Sequence, residues 1–69
     1  MLLSEILDSD FFLLGYNRQY IIGDTVWKRG KKCGDTQYKL WPYTYHNGSW
    51  ISTSGDAMYA SGNRRVTVL

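Results

Sequence analysis

The chain has little of several things on which large classes of protein depend. It is 69 residues long, with one cysteine, one proline and one histidine. A lone cysteine, Cys33, rules out the internal disulfide framework that usually staples small secreted domains, and favours a reducing, cytoplasmic setting. One histidine, one thiol and scattered acids do not make a metal site. A Cys33–His46 pair is formally available, but both residues sit beside predicted turns and their spacing does not bring them together. The glycines form no phosphate-cradling loop, because Gly30 and Gly34 enclose Lys31, Lys32 and Cys33 with no helix to follow. No apolar run approaches the roughly 18 residues of a membrane span. Glu5, Asp8 and Asp10 stand where a signal peptide carries basic residues. A chain this short is expected to form one domain, residues 1–69, with only about 60% of its unfolded surface buried. Together these absences argue against an enzyme, a cofactor or a membrane partner.

Aromatic residues are what the chain has in excess: six Tyr, three Trp and two Phe, 16% of the sequence. Leu, Ile, Val and Phe number 16 of the 69 residues, above the roughly 20% below which a charged chain stays disordered. Each aromatic side chain buries about 150–250 Å². A core this small cannot hide all eleven, so some rings are expected at the surface.

Periodicity divides the chain in two. Leu3, Ile6, Leu7, Phe11 and Leu14 fall at helical spacings, and Gly15 follows where a helix terminus wants a positive φ. Residues 1–15 therefore read as an acidic amphipathic helix, with Asp8-Ser9-Asp10 as a point where it can break into two pieces. From Tyr16 onward the helical period vanishes, and glycines cut the chain into short segments rich in Tyr, Trp, Thr, Val and Ile. That rhythm predicts antiparallel strands near 16–22, 25–29, 36–45, 49–53, 57–60 and 64–69. Asn47-Gly48 suits a two-residue type I′ hairpin, which sets His46 opposite Ser49 and Tyr45 opposite Trp50. Pro42 cannot donate to a ladder and marks an edge or a bulge. The expected fold is α+β but mostly β. The N-terminal helix packs on a small curved antiparallel sheet, or an SH3-like barrel, of about five to six short strands.

Net charge is +2, but it is unevenly placed. Residues 1–15 carry three acids and no base, while residues 16–69 carry all eight Lys and Arg against Asp24, Asp35 and Asp56. Lys28, Arg29, Lys31 and Lys32 cluster, and Arg64 and Arg65 form a second pair. Such a basic region attracts phosphate. Aromatics are interleaved with it. Tyr16, Arg18 and Tyr20 alternate onto one face of the expected first strand, Trp27 shares a face with Arg29, and Lys39 with Trp41. Tyr43, Tyr45 and Trp50 share one face of the Asn-Gly hairpin. Bases of single-stranded nucleic acid stack on aromatic rings while Lys and Arg neutralise the backbone. The sequence thus points to a non-enzymatic binding module for nucleic acid. Phosphates would lie on Lys28, Arg29, Lys31, Lys32, Arg64 and Arg65, and bases on exposed members of Trp27, Trp41, Tyr43, Tyr45 and Trp50. The alternative is an inhibitor or adaptor, of the kind phages and mobile elements encode, that occupies a larger protein through the same Tyr/Trp/Arg surface. Homodimerisation suits a domain this small under either reading.

Overall fold

A computed structural model describes residues 1–53 and 55–69. Its regular structure is one 3-10 turn, Leu3–Glu5, and six strands: β1 (Phe11–Leu14), β2 (Val26–Cys33), β3 (Gln37–His46), β4 (Ser49–Ser52), β5 (Met58–Ser61) and β6 (Val66–Val68). All pairings are antiparallel, in the order β4-β3-β2-β1-β6, with β5 also on β3. The sheet stays open and does not close into a barrel.

The expected amphipathic helix is absent, and local chemistry explains why. The backbone N–H of Asp10 donates to the Leu7 carbonyl at 3.1 Å, and its carboxylate accepts the Leu7 N–H at 3.0 Å. Residues 7–10 are thereby locked in a turn rather than a helix. Asp8 is drawn away to Arg29, 2.6 Å from its guanidinium. The next four residues, Phe11 to Leu14, form a strand between β2 and β6. A strand covered on both faces reads as an unbroken apolar run, which periodicity does not separate from a buried helix.

The strand expected at 16–22 is also absent. Gly15 at φ +115 and Asn17 at φ +53 turn the chain out of extended geometry. The Arg18 N–H donates to Thr67 Oγ1 at 3.0 Å, and the Tyr20 ring lies 5.4 Å from that of Trp50. Residues 16–25 therefore cross the sheet as a strap from β6 toward β4.

Register fixes two faces, because side chains alternate along each strand. Phe12 pairs with Trp27, Trp27 with Pro42, and Arg29 with Leu40. These residues share the core face. Leu3, Ile6, Phe12, Leu40, Ala60 and Val66 are buried there, with Leu14, Trp27, Tyr38, Met58 and Val68 packed around them. The opposite, outer face carries Leu13 and Val26, which are also buried.

Pro42 lies in the middle of the longest strand. Its missing N–H points to the side of β3 where β4 ends and β5 has not begun, so no ladder bond is lost. Its carbonyl there accepts the Thr53 N–H at 3.1 Å. Of the edge or bulge expected at Pro42, the structure has a local edge, a gap between the ends of β4 and β5.

Candidate functional site

The outer face is the candidate site. Along β3 it presents Lys39, Trp41, Tyr43 and Tyr45. Across the sheet, Tyr59 stands opposite Lys39, Lys28 opposite Trp41, and Trp50 opposite Tyr45. Phe11, opposite Lys28, belongs to the same face. Between the pairs Arg29–Leu40 and Lys32–Tyr38 the register shifts, so Gly30 and Lys31 together oppose Lys39. This bulge and the resumed alternation put Lys31 on the outer face and Lys32 on the core face.

The rings form two groups. Phe11, Tyr20, Tyr43 and Trp50 are half-buried and hold one another. Phe11 meets Tyr43 edge-on at 5.1 Å and stacks on Trp50 at 5.5 Å. Each such pair contributes about 0.5–1.5 kcal/mol beyond its buried area. Tyr59, Trp41 and Tyr45 are the exposed group, with 53%, 42% and 54% of their surfaces open. Tyr45 bridges the two, its ring 5.1 Å from that of Trp50.

Gly30 makes room for the Trp41 ring. A Cβ at that position would stand 2.8 Å from the indole Nε1 and 3.1 Å from the Lys39 carbonyl oxygen. Only glycine lets the ring approach the β2 backbone so closely. Lys39 Nζ lies 4.3 Å from the Trp41 ring, and Lys28 Nζ lies 5.1 Å from Phe11 and 5.8 Å from Tyr43. These distances are within the roughly 6 Å reach of a cation–π contact.

The strands of this face carry charge of one sign. All six acids of the chain, Glu5, Asp8, Asp10, Asp24, Asp35 and Asp56, lie outside the six strands. Lys28, Lys31 and Lys39 therefore surround Trp41 with no carboxylate carried by any strand.

The remaining bases and rings of the expected site are distributed elsewhere. Arg29 is on the core face with 13% of its side chain exposed. It donates from one terminal nitrogen to the Leu3 carbonyl at 2.9 Å and from the other to Asp8 at 2.6 Å, with its guanidinium 4.9 Å from the Tyr38 ring. Those bonds occupy it in holding residues 3–8 to the sheet. Trp27 packs against the core. Lys32 borders a solvent-open hollow of about 160 Å³ with Ser4, Asp35, Ser61 and Asn63. Arg65 is at β6, three strands from β3, with its guanidinium 5.3 Å from Tyr16. Arg64 is exposed in the turn after β5. A second hollow, of about 150 Å³ between Met1, Leu2, Glu5, Tyr16 and Arg65, is likewise shallow. Both fall short of the 300–1,000 Å³ typical of small-molecule pockets. No group of three metal-ligating side chains occurs among the described residues.

Sequence reasoning passed over two members of the face, Phe11 and Tyr59, and counted Tyr20 and Lys39 among the interleaved rings and bases without giving them a contact. Lys39 was legible, two residues before Trp41 on one strand. Tyr59 was legible in the alternation of Met58, Tyr59 and Ala60. Phe11 was hidden by the expected helix, and Tyr20 reaches the face from a strap rather than from the expected strand.

The fold and face define a class: a small open antiparallel sheet bearing an exposed aromatic and lysine surface. No protein-family model, curated protein or solved structure matches the chain.

Proposed function

We propose that the protein is a non-enzymatic binding module whose outer face takes single-stranded nucleic acid. The observation that carries this reading is the row Tyr59, Trp41 and Tyr45, open to solvent among Lys28, Lys31 and Lys39 with no strand-borne acid. Trp41 and Tyr45 are four residues apart on β3, about 13 Å, well beyond the 3.4 Å between stacked nucleotides of a duplex strand. A nucleic-acid strand laid along β3 is therefore splayed, each base against a ring and its phosphates toward lysine. Arg29 and Trp27 are released from the binding role that the sequence suggested, because the fold uses both. Lys32, Arg64 and Arg65 act at longer range, by raising the local potential. An exposed thiol at Cys33 suits a reducing, cytoplasmic setting.

The test is a tryptophan-fluorescence titration with a mixed-sequence single strand at low salt, comparing the native chain with Trp41→Ala. Saturable quenching, weakened about fivefold or more by the substitution, is expected, since a base–ring stack contributes about 1–3 kcal/mol. A flat titration at low salt would refute the reading. The alternative, an inhibitor or adaptor of a larger protein, would then hold the same rings against an apolar partner surface.

A further inference from the structure

The strap across the outer face ends in an exposed feature that single-strand binding leaves unused. Residues 21–24 form a β-turn in which the Asp24 N–H donates to the Ile21 carbonyl at 2.9 Å and the Asp24 carboxylate accepts the Ile21 N–H at 3.0 Å. Gly23, at φ +99, supplies the positive φ that a type II turn needs at its third position. This well-braced turn displays two isoleucines to solvent: Ile21 is 66% and Ile22 93% exposed. Its only charge, on Asp24, is directed back into its own backbone. The turn begins one residue after Tyr20, whose ring abuts Trp50, and Trp50 stands opposite Tyr45. The apolar tip therefore rises at the end of the ring row that Tyr45 closes.

The geometry points to a junction between single strand and duplex as the form of nucleic acid bound, with the Ile21–Ile22 tip as the wedge against the last base pair. This rests on the single-strand reading above. A strand splayed along β3 must pass from stacked to unstacked spacing where a duplex begins. An apolar side chain placed there covers the exposed face of the terminal pair, as aliphatic wedges do when they enter base steps. The braced turn loses little conformational freedom on contact, which favours binding.

The test uses three DNA ligands carrying one fluorophore: a single strand of about eight nucleotides, a blunt hairpin, and that hairpin with the single strand as a tail. Anisotropy titrations compare the native chain with Ile22→Ser, which folds because Ile22 makes almost no contact. The native chain should bind the tailed hairpin about tenfold more tightly than the tail alone, the effect of covering one such side chain. Ile22→Ser should erase that preference and leave affinity for the tail unchanged. Equal affinity of the native chain for tail and tailed hairpin overturns the wedge alone. So does a preference that survives Ile22→Ser, and the tip then belongs to an apolar pocket of a protein partner. Failure of the tail itself to bind overturns the single-strand reading and the wedge with it.

Discussion

Replacing Arg29 with methionine separates the fold's use of this residue from the phosphate contact that its place in a basic run suggests. The substitution keeps an unbranched, largely apolar stem and removes the guanidinium with its charge. Three interactions go. The bond to the Leu3 carbonyl is charge-assisted and partly buried, contributing about 1.5–3 kcal/mol. The ion pair with Asp8, whose side chain is 83% exposed, contributes at most about 1 kcal/mol after solvent screening. The contact with the Tyr38 ring adds about 0.5–1 kcal/mol. Against these stands the relief of burying a charged group whose Nε has no partner, which offsets about 1–3 kcal/mol. The net loss is about 2 kcal/mol, or a fall in melting midpoint of about 10 °C for a domain of this size. Thermal denaturation followed by circular dichroism measures the midpoint, and an oligonucleotide titration well below it measures binding. The expected outcome is a less stable protein whose affinity changes less than about threefold, because the guanidinium is on the face opposite the rings. Unchanged stability with a large loss of binding would refute the assignment of Arg29 to the fold.

Four further substitutions probe other parts of the structure. Phe12→Ala empties the centre of the core at a fully buried site and should cost about 3–5 kcal/mol, enough to leave a domain this small largely unfolded by circular dichroism at room temperature. Lys31→Glu and Lys32→Glu alter adjacent exposed residues on opposite faces. The first should weaken oligonucleotide binding severalfold and the second by less than about twofold at low salt, whereas equal effects would contradict the face assignment. Gly48→Ala forces a Cβ onto a residue at φ +83, where its nearest neighbour is the Tyr45 hydroxyl at an unstrained 4.0 Å, so backbone strain of about 1–2 kcal/mol is its main cost, readable as a lower urea midpoint with an unchanged m-value.

Much of the sheet was legible because its signals are local. Asn47-Gly48 folds as a two-residue turn with both residues at positive φ, φ +50 and +83, and the pairings His46–Ser49 and Tyr45–Trp50 follow from it. The alternation from Lys39 to Tyr45 placed three rings on one face, and Trp27 does share a face with Arg29. What local signals cannot say is which face becomes the core. That depends on which face the residues from Leu3 to Ile6 cover, a long-range choice that made Trp27 and Arg29 structural and left Trp41 open. The N-terminal error has the same origin. Helical spacing at Leu3, Ile6 and Leu7 is real, but Asp10 turns back on Leu7, and the apolar run that follows finds strands on both sides. At residues 16–22, β-favouring side chains were overridden by two left-handed residues and by a hydrogen bond to Thr67, 49 positions away. The exposed row of rings was therefore readable in part, and its extension to Tyr59 and Phe11 waited on the strand pairing.

The three tryptophans test the central claim most directly, since each reports a different place: Trp41 on the open face, Trp50 among the half-buried rings, and Trp27 against the core. Their indole N–H signals can be followed by heteronuclear NMR while a single-stranded oligonucleotide is added at about 50 mM salt. The account predicts that the Trp41 signal moves most, Trp50 less and Trp27 hardly at all. With three lysines engaged, affinity should fall about twentyfold between about 50 and 200 mM salt. A titration that shifts Trp27 while Trp41 stays still, or binding indifferent to salt, would contradict it.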